Sequence, residues 1–106
     1  MDRRIERVIN KMESDPASCT PSALAASIRL SESRFRHLFK QETGMTPAQY
    51  LKLVRLKKAA LLLTTTYNSI KAILIKVGLT SHTHFIRDFR QLYGMSPTEY
   101  RNLQRK

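Results

Sequence analysis

The second half of the chain repeats a pattern of the first half, and no other feature limits the possible folds as strongly. The residues that recur 50 positions later with the same identities include Phe35, Phe39, Gly44, Met45, Pro47 and Tyr50, which are matched by Phe85, Phe89, Gly94, Met95, Pro97 and Tyr100. Ahead of the phenylalanines the offset is 49, which pairs Leu24, Ile28 and Leu30 with Ile73, Val77 and Leu79. One residue is therefore added to the second copy, in the turn before its second helix. Two copies indicate duplication of one supersecondary unit, whereas a solenoid would need at least three repeats.

Capping residues and apolar stripes mark the helices of the first copy. The first stripe has spacings of three, one and three residues, as one face of a helix does, and consists of Ile5, Val8, Ile9 and Met12. Thr20-Pro21 and Ser31 predict the starts of two further helices, because a hydroxyl oxygen accepts a hydrogen bond from a free N–H of the first turn. The second of these helices has an inward stripe of Phe35, Leu38 and Phe39. Gly44 is expected to end it in the left-handed conformation.

A longer helix follows. Thr46-Pro47 is again a cap followed by proline at the first helical position, and nothing interrupts the helix until about Thr64. Apolar residues surround most of its circumference, which predicts that it lies between two small cores and belongs to both. Its polar strip consists of Lys52, Arg55 and Lys58.

No segment shows the alternation of a β-strand, so the predicted fold is all-α. About seven helices are expected, arranged as two helix-turn-helix subdomains joined by a long linker helix. The predicted boundaries are 1–46 for the first subdomain, 47–66 for the linker helix and 67–106 for the second subdomain.

The charge balance points to a polyanionic partner. The 106 residues include 19 Lys+Arg and 8 Asp+Glu, for a net charge of +11 at pH 7. Such a charge opposes compaction, and it exceeds the net charge of roughly 2 to 8 that keeps a small domain soluble. Nucleic acid is the first candidate partner and an anionic membrane surface the second. Between Thr43 and Arg87 there is no Asp or Glu, so the middle of the chain is purely cationic.

Each copy has the pattern of a helix-turn-helix motif, namely a short helix, a tight turn and a second helix with a single apolar stripe. In such motifs the outward face of the second helix enters the major groove of DNA. In the first copy the inward phenylalanines leave Ser33, Arg36 and His37 outward near the start of the helix, where they are predicted to contact bases. An arginine such as Arg36 can bond guanine O6 and N7 together. Arg34 and Lys40 lie toward the flanks and better suit phosphates.

In the second copy the outward residues are His82, Thr83, Ile86, Arg87 and Arg90. An exposed Ile86 would meet the methyl group of a thymine, although it can equally be an ordinary surface hydrophobe. Arg90 is predicted to contact phosphate, as are Lys52, Arg55 and Lys58 of the linker helix.

Other chemistries find little support. His82 and His84 have no further ligands at zinc spacing, and Cys19 has no catalytic base beside it and is expected to be a packed or surface thiol. Neither a metal, a cofactor nor an enzymatic activity is expected. Cys19 is the only cysteine, which fits a reducing cytosol, and the absence of a signal peptide or long apolar span favours a cytoplasmic protein.

The second copy resembles the helix-turn-helix signature of the AraC/XylS family of bacterial transcription regulators. The residues that carry the resemblance are Ile73, Val77-Gly78-Leu79, Ser81, Phe85-x-Arg87-x-Phe89, Gly94-x-Ser96-Pro97 and Tyr100. The first copy also fits, through Leu24-Ala25, Leu30-Ser31, Phe39-Lys40, Gly44, Thr46-Pro47 and Tyr50, followed by Arg55 and the run Ala59 to Leu63.

The resemblance implies sequence-specific binding of promoter DNA, with two recognition helices in successive major grooves, to activate or repress transcription. It places base contacts at Ser33, Arg36 and His37 and at His82, Thr83, Ile86 and Arg87. It also implies RNA polymerase as a partner and an attached N-terminal effector or dimerisation domain in the full-length protein.

Two other classes of function fit the sequence less well than the reading of duplex DNA. A nonspecific or RNA-binding protein would need exposed stacking aromatics, but most of the eight aromatic residues fall at core-facing positions. A membrane-surface helix could be formed by the first helix, with its arginines and apolar stripe, but that helix has no Trp and core burial explains the stripe more simply.

Overall fold

The computed structural model describes residues 1–105, and over that range it contains seven α-helices, one short 3-10 helix and no strand. The α-helices are α1 (Arg3–Ser14), α2 (Pro21–Ser27), α3 (Glu32–Thr43), α4 (Pro47–Thr65), α5 (Ile70–Val77), α6 (His82–Tyr93) and α7 (Pro97–Gln104). The 3-10 helix, Pro16–Ser18, lies between α1 and α2. The prediction of an all-α fold with about seven helices is confirmed. Lys106, the last residue of the predicted second subdomain, lies outside the described residues.

The hydroxyl caps form as the sequence predicts. Thr20 Oγ1 accepts a hydrogen bond from the Ala23 N–H at 3.1 Å, and Ser31 Oγ accepts one from the Arg34 N–H at 3.2 Å. Ser81 caps α6 in the same way as Ser31 caps α3. Because each cap satisfies a donor that the helix cannot bond internally, the starts of these helices are set by local chemistry.

The described residues fall into two compact units, one from Met1 to Val54 and one from Arg55 onward. We call them the first unit and the second unit. The core of the first unit consists of Ile5, Val8, Met12, Cys19, Leu24, Ala25, Ile28, Phe35, Phe39 and Leu51. The core of the second unit consists of Leu56, Ala59, Ala60, Leu63, Ile73, Leu74, Val77, Phe85 and Phe89. Helix α4 contributes to both cores, as predicted.

The second half of α4 takes in the second unit the place that α1 takes in the first. The inward residues of α1 have spacings of three, one and three, and the buried residues of α4 repeat these spacings as Leu56, Ala59, Ala60 and Leu63. The identities differ between the two stripes, so this part of the repeat is visible in the structure and was not recognised from the sequence. Each unit therefore has one bracing helix ahead of its helix-turn-helix pair.

A phenylalanine lies at the centre of an aromatic cluster in each core. The Phe39 ring lies 5.7 Å from that of Phe35 and 5.4 Å from that of Tyr50, measured between centroids. Phe89 contacts three rings, those of Phe85, Tyr93 and Tyr100, at 5.6, 4.6 and 5.4 Å. These clusters anchor α3 and α6 by one face and leave the opposite face to solvent.

Arginines near the end of the chain satisfy the C-terminal end of α4. Arg101 Nε donates to the Leu63 carbonyl at 2.9 Å, and Arg101 Nη2 donates to the Asn68 carbonyl at 2.7 Å. Arg105 also donates to carbonyls there, and its guanidinium lies 4.2 Å from the centroid of the Tyr67 ring. Cations suit the last carbonyls of a helix, where the backbone dipoles present partial negative charge.

Candidate nucleic-acid interface

We call α3 and α6 the reading helices. In α3 the rings of Phe35 and Phe39 are buried, at 1% and 0% exposed. The residues predicted to contact DNA from this helix are all exposed, namely Ser33, Arg34, Arg36, His37 and Lys40. The structure therefore brings all five to the solvent side of α3.

A shallow groove runs along this outer face. Its lining includes Ser33, Arg36, His37 and Lys40, together with Gln41 and Thr46. Gln41 also lines a second concavity with Ser33 and His37, next to Arg4 of α1. Gln41 was not predicted as a site residue, although it lies four positions after His37 and so shares its side of the helix. Helical spacing alone could have identified it.

In α6 the aromatic face is likewise buried, with Phe85 at 2% and Phe89 at 0% exposed. His82, Thr83, Arg87 and Arg90 are exposed, in agreement with the predicted outward face. Ile86 is half-buried and packs against the core of the second unit. Because the core already covers part of Ile86, only the remaining part of its side chain is free to meet a base methyl group.

The two reading helices differ in their electrostatics. Arg87 Nε lies 3.2 Å from Asp88 Oδ1, and Arg90 Nη2 lies 3.8 Å from Glu99 Oε1. Within residues 1–105 no carboxylate lies within salt-bridge distance of Arg36 or Lys40. Arg36 and Lys40 of the first reading helix are thus outside any ion pair in this part of the chain, whereas Arg87 and Arg90 of the second lie beside acids.

Glu99 is held ionised by its role at the start of α7. The Ser96 side chain and backbone N–H bond to its carboxylate, and Arg90 lies close to it, which together lower the pKa of Glu99. The bond from the Ser96 N–H to the Glu99 carboxylate is one half of a capping box. In the other half the Ser96 hydroxyl accepts from the Glu99 N–H at 3.1 Å. Arg90 consequently has a charged neighbour even without DNA.

The predicted polar strip of α4 is not uniformly exposed. Lys52 is exposed, whereas Arg55 and Lys58 are half-buried. Lysine and arginine can bury their aliphatic stems while the charged ends stay in water, so half-burial is compatible with a phosphate contact.

The residues considered for other chemistry have ordinary surroundings. Cys19 is 2% exposed, and its thiol donates to the Asp15 carbonyl with a sulfur–oxygen distance of 3.3 Å. In the described part of the chain no three His, Cys, Asp or Glu side chains are placed to hold a metal ion together. None of the helices described has the length and apolarity to cross a membrane.

Comparison with known proteins places this arrangement in a family. Residues 24–103 match the family described as a helix-turn-helix domain. The chain is 26% identical to a probable AraC family transcriptional regulator from Rhodopseudomonas palustris, whose crystal structure superposes with a TM-score of 0.87, covering 99% of this chain and 100% of that one. The chain belongs to the AraC/XylS family. This family consists of transcription regulators that bind DNA through a domain with two helix-turn-helix motifs, and it is not a family of enzymes.

Two further relatives bear on DNA binding. The DNA-binding domain of the global transcriptional factor AdpA, crystallised in complex with a target DNA, superposes with a TM-score of 0.86 at 28% identity, covering 95% of this chain and 92% of that one. The transcriptional activator RhaR of Mannheimia succiniciproducens is 42% identical over 74 residues, which are 70% of this chain and 27% of RhaR. The chain spans about a quarter to a third of the length of the curated relatives it matches.

Proposed function

We propose that this domain reads duplex promoter DNA with α3 and α6, each lying in a major groove. The observation that carries the proposal is the outer face of α3, where Arg36, His37 and Lys40 are exposed together and, within residues 1–105, no carboxylate lies within salt-bridge distance of Arg36 or Lys40. A helix anchored by a buried aromatic face and exposing such donors has the width and chemistry that a major groove accepts.

The proposed contacts divide into two classes. Base contacts are assigned to Ser33, Arg36, His37, His82, Thr83, Ile86 and Arg87. Phosphate contacts are assigned to Arg34, Lys40, Lys52, Arg55, Lys58 and Arg90. The exposure of most of these side chains supports the assignment, and Arg36 is expected to contribute most to base choice because its planar fork can bond guanine bidentately.

The domain boundaries proposed are 1–46 and 67–106 for the two helix-turn-helix subdomains, with 47–66 as the linker helix. The unbroken course of α4 from Pro47 to Thr65 supports this division. The outward residues of α3 and α6 differ, so we infer that each subdomain reads its own bases and that one chain recognises an asymmetric site.

The greater length of the relatives supports a further proposal, that this domain works attached to an effector-binding or dimerisation domain. RNA polymerase is the proposed protein partner, and the cytoplasm, where bacterial promoters lie, is the proposed location. The naming of RhaR as an activator supports activation as the mode of regulation.

Selection of bound duplexes from a random pool tests the central proposal. We expect an asymmetric consensus with two blocks about 10 base pairs apart, the spacing of successive major grooves. Repeating the selection with Arg36→Ala should relax one block only, and with Arg87→Ala the other. Selection that yields no consensus from a chain that still binds DNA would contradict sequence-specific reading.

A further inference from the structure

One residue in the first unit adopts a backbone conformation that its side chain disfavours. Arg29 has φ of +59°, and among the described residues it is the non-glycine residue with positive φ. The residue 49 positions later is Gly78, whose φ is +85°. The matching turns of the two units therefore use the left-handed region at the same place, with glycine in one and arginine in the other.

The turn itself requires this conformation. In the first unit the Leu30 N–H donates to the Ala25 carbonyl at 3.1 Å, and in the second the Leu79 N–H donates to the Leu74 carbonyl at 2.9 Å. These equivalent bonds close the end of α2 and of α5 through a left-handed residue. Glycine meets that requirement without steric cost, whereas an arginine side chain adds a clash between Cβ and the backbone.

No side-chain contact within residues 1–105 offsets that cost at Arg29. Its side chain is exposed, and among residues 1–105 it has no hydrogen bond and no ion pair. Non-glycine residues held in sparsely populated backbone regions cluster at functional positions. A guanidinium without an internal partner is free to bind an external anion.

The position of Arg29 indicates which anion. It lies two residues before Ser31, the cap of α3, so its Cα is within roughly 7 Å of the start of the first reading helix. In helix-turn-helix proteins the N-terminal residues of the reading helix contact base edges while the helix before it crosses the DNA backbone. The turn that joins the two helices, which contains Arg29, is therefore expected to lie near phosphates. Arg34, in the first turn of α3, is also exposed at this end of the helix.

We propose that Arg29 is an additional phosphate contact of the first helix-turn-helix, with its guanidinium donating to the DNA backbone beside the start of α3. The second unit has no counterpart, because Gly78 has no side chain. This inference rests on the proposed function, and it adds to that function a residue that anchors one reading helix more strongly than the other.

The test uses a mixed-sequence duplex, because a phosphate contact strengthens binding to every sequence. Affinity is measured for the wild-type chain, Arg29→Gly and Arg29→Lys between about 50 and about 200 mM salt. We expect Arg29→Gly to bind roughly three- to tenfold more weakly at about 0.1 M salt and its salt slope to fall by about one unit. Arg29→Lys keeps the charge and should keep the slope.

The control is Arg7→Gln, which removes the same charge from the exposed side of α1 in the same unit. Thermal unfolding accompanies each variant, and Arg29→Gly should be at least as stable as the wild type. A loss of affinity together with retained stability then identifies a contact. Unchanged affinity and slope in Arg29→Gly, or an equal loss in Arg7→Gln, overturns the inference while DNA binding stands. Failure of the wild-type chain to bind any duplex would instead refute the proposed function.

Discussion

The two reading helices begin at the same kind of cap and end at the same kind of glycine, yet their arginines have different neighbours. Helix α3 is capped by Ser31 and α6 by Ser81, and each is followed by a glycine with φ near +80°. On α6, Arg87 and Arg90 lie beside Asp88 and Glu99, whereas on α3 no carboxylate lies within salt-bridge distance of Arg36 or Lys40 in the described residues. The duplication has kept the residues that form the helices and varied those that face outward.

The interiors of the two units differ as well, and here the second unit has the larger aromatic cluster. The second unit has a cluster of four aromatic rings that includes Phe89 at its centre, whereas the first unit has a cluster of three that includes Phe39. The second unit also uses Arg101 and Arg105 to bond the end of α4. We therefore expect the second unit to depend more on internal contacts and the first unit to contribute more of the electrostatic attraction to DNA.

The largest expected effect comes from removing the central ring of each aromatic cluster. Phe39→Ala and Phe89→Ala each remove a fully buried ring and should lower the free energy of unfolding by about 3–5 kcal/mol. Phe89→Ala should cost more, because each additional ring pair contributes roughly 0.5–1.5 kcal/mol. Urea denaturation followed by circular dichroism measures the free energies. Leu61→Ala, on an exposed side chain of α4, is the control, and an equal loss for the two phenylalanine variants would remove the distinction between the cores.

Next in size is the loss of a base contact. Arg36→Ala should weaken binding to the selected duplex by about 1–3 kcal/mol, concentrated at one base pair. Arg87→Ala should cost less, since DNA must compete with Asp88 for that guanidinium. Binding titrations with single-base-pair variants of the duplex separate the two. If the loss for Arg36→Ala were the same at every base pair, Arg36 would be a phosphate contact.

A reciprocal exchange of the turn residues gives a smaller effect on folding. Gly78→Arg should lower the free energy of unfolding by about 1–2 kcal/mol, the cost of a side chain in the left-handed region. Arg29→Gly relieves that cost but adds chain entropy to the unfolded state, so a gain of at most about 1 kcal/mol is expected. Urea midpoints of the two variants and the wild type are compared. Changes of opposite sign in the free energy of unfolding would support the equivalence of the two turns. No change in Gly78→Arg would contradict that equivalence.

The smallest expected effect is an acid transition at the start of α1. Bonds from the Arg4 side chain and backbone lower the pKa of Asp2 from 3.8 to about 2. The unfolded carboxyl therefore binds a proton first as pH falls, so this stabilisation is present above about pH 4 and is lost toward pH 2. The NMR shift of the Arg4 amide should titrate with a midpoint near pH 2. Asp2→Asn should abolish the titration, and a midpoint near 3.8 would show that the bonds are absent in solution.

Much of the fold could be predicted because its signals are local. A hydroxyl such as Ser31 bonds an amide three residues away, and apolar periodicity reports one helix at a time. The outward faces of α3 and α6 followed from the same periodicity, with Ile86 as the residue whose burial was underestimated. The core covers part of Ile86 through packing between helices, which the pattern within α6 does not contain.

The amino-acid sequence by itself determined the duplication, which shows as recurring identities, and the helix starts and ends, the buried phenylalanines and the cationic outer face, which depend on residues within a turn or two of one another. Only the tertiary structure decided that the second half of α4 repeats the stripe of α1, and that Arg101 bonds a carbonyl 38 residues away. It also decided that Arg29 occupies the conformation of Gly78. The first two of these features arise when distant segments pack together, because the energy of such contacts depends on the whole arrangement rather than on local sequence.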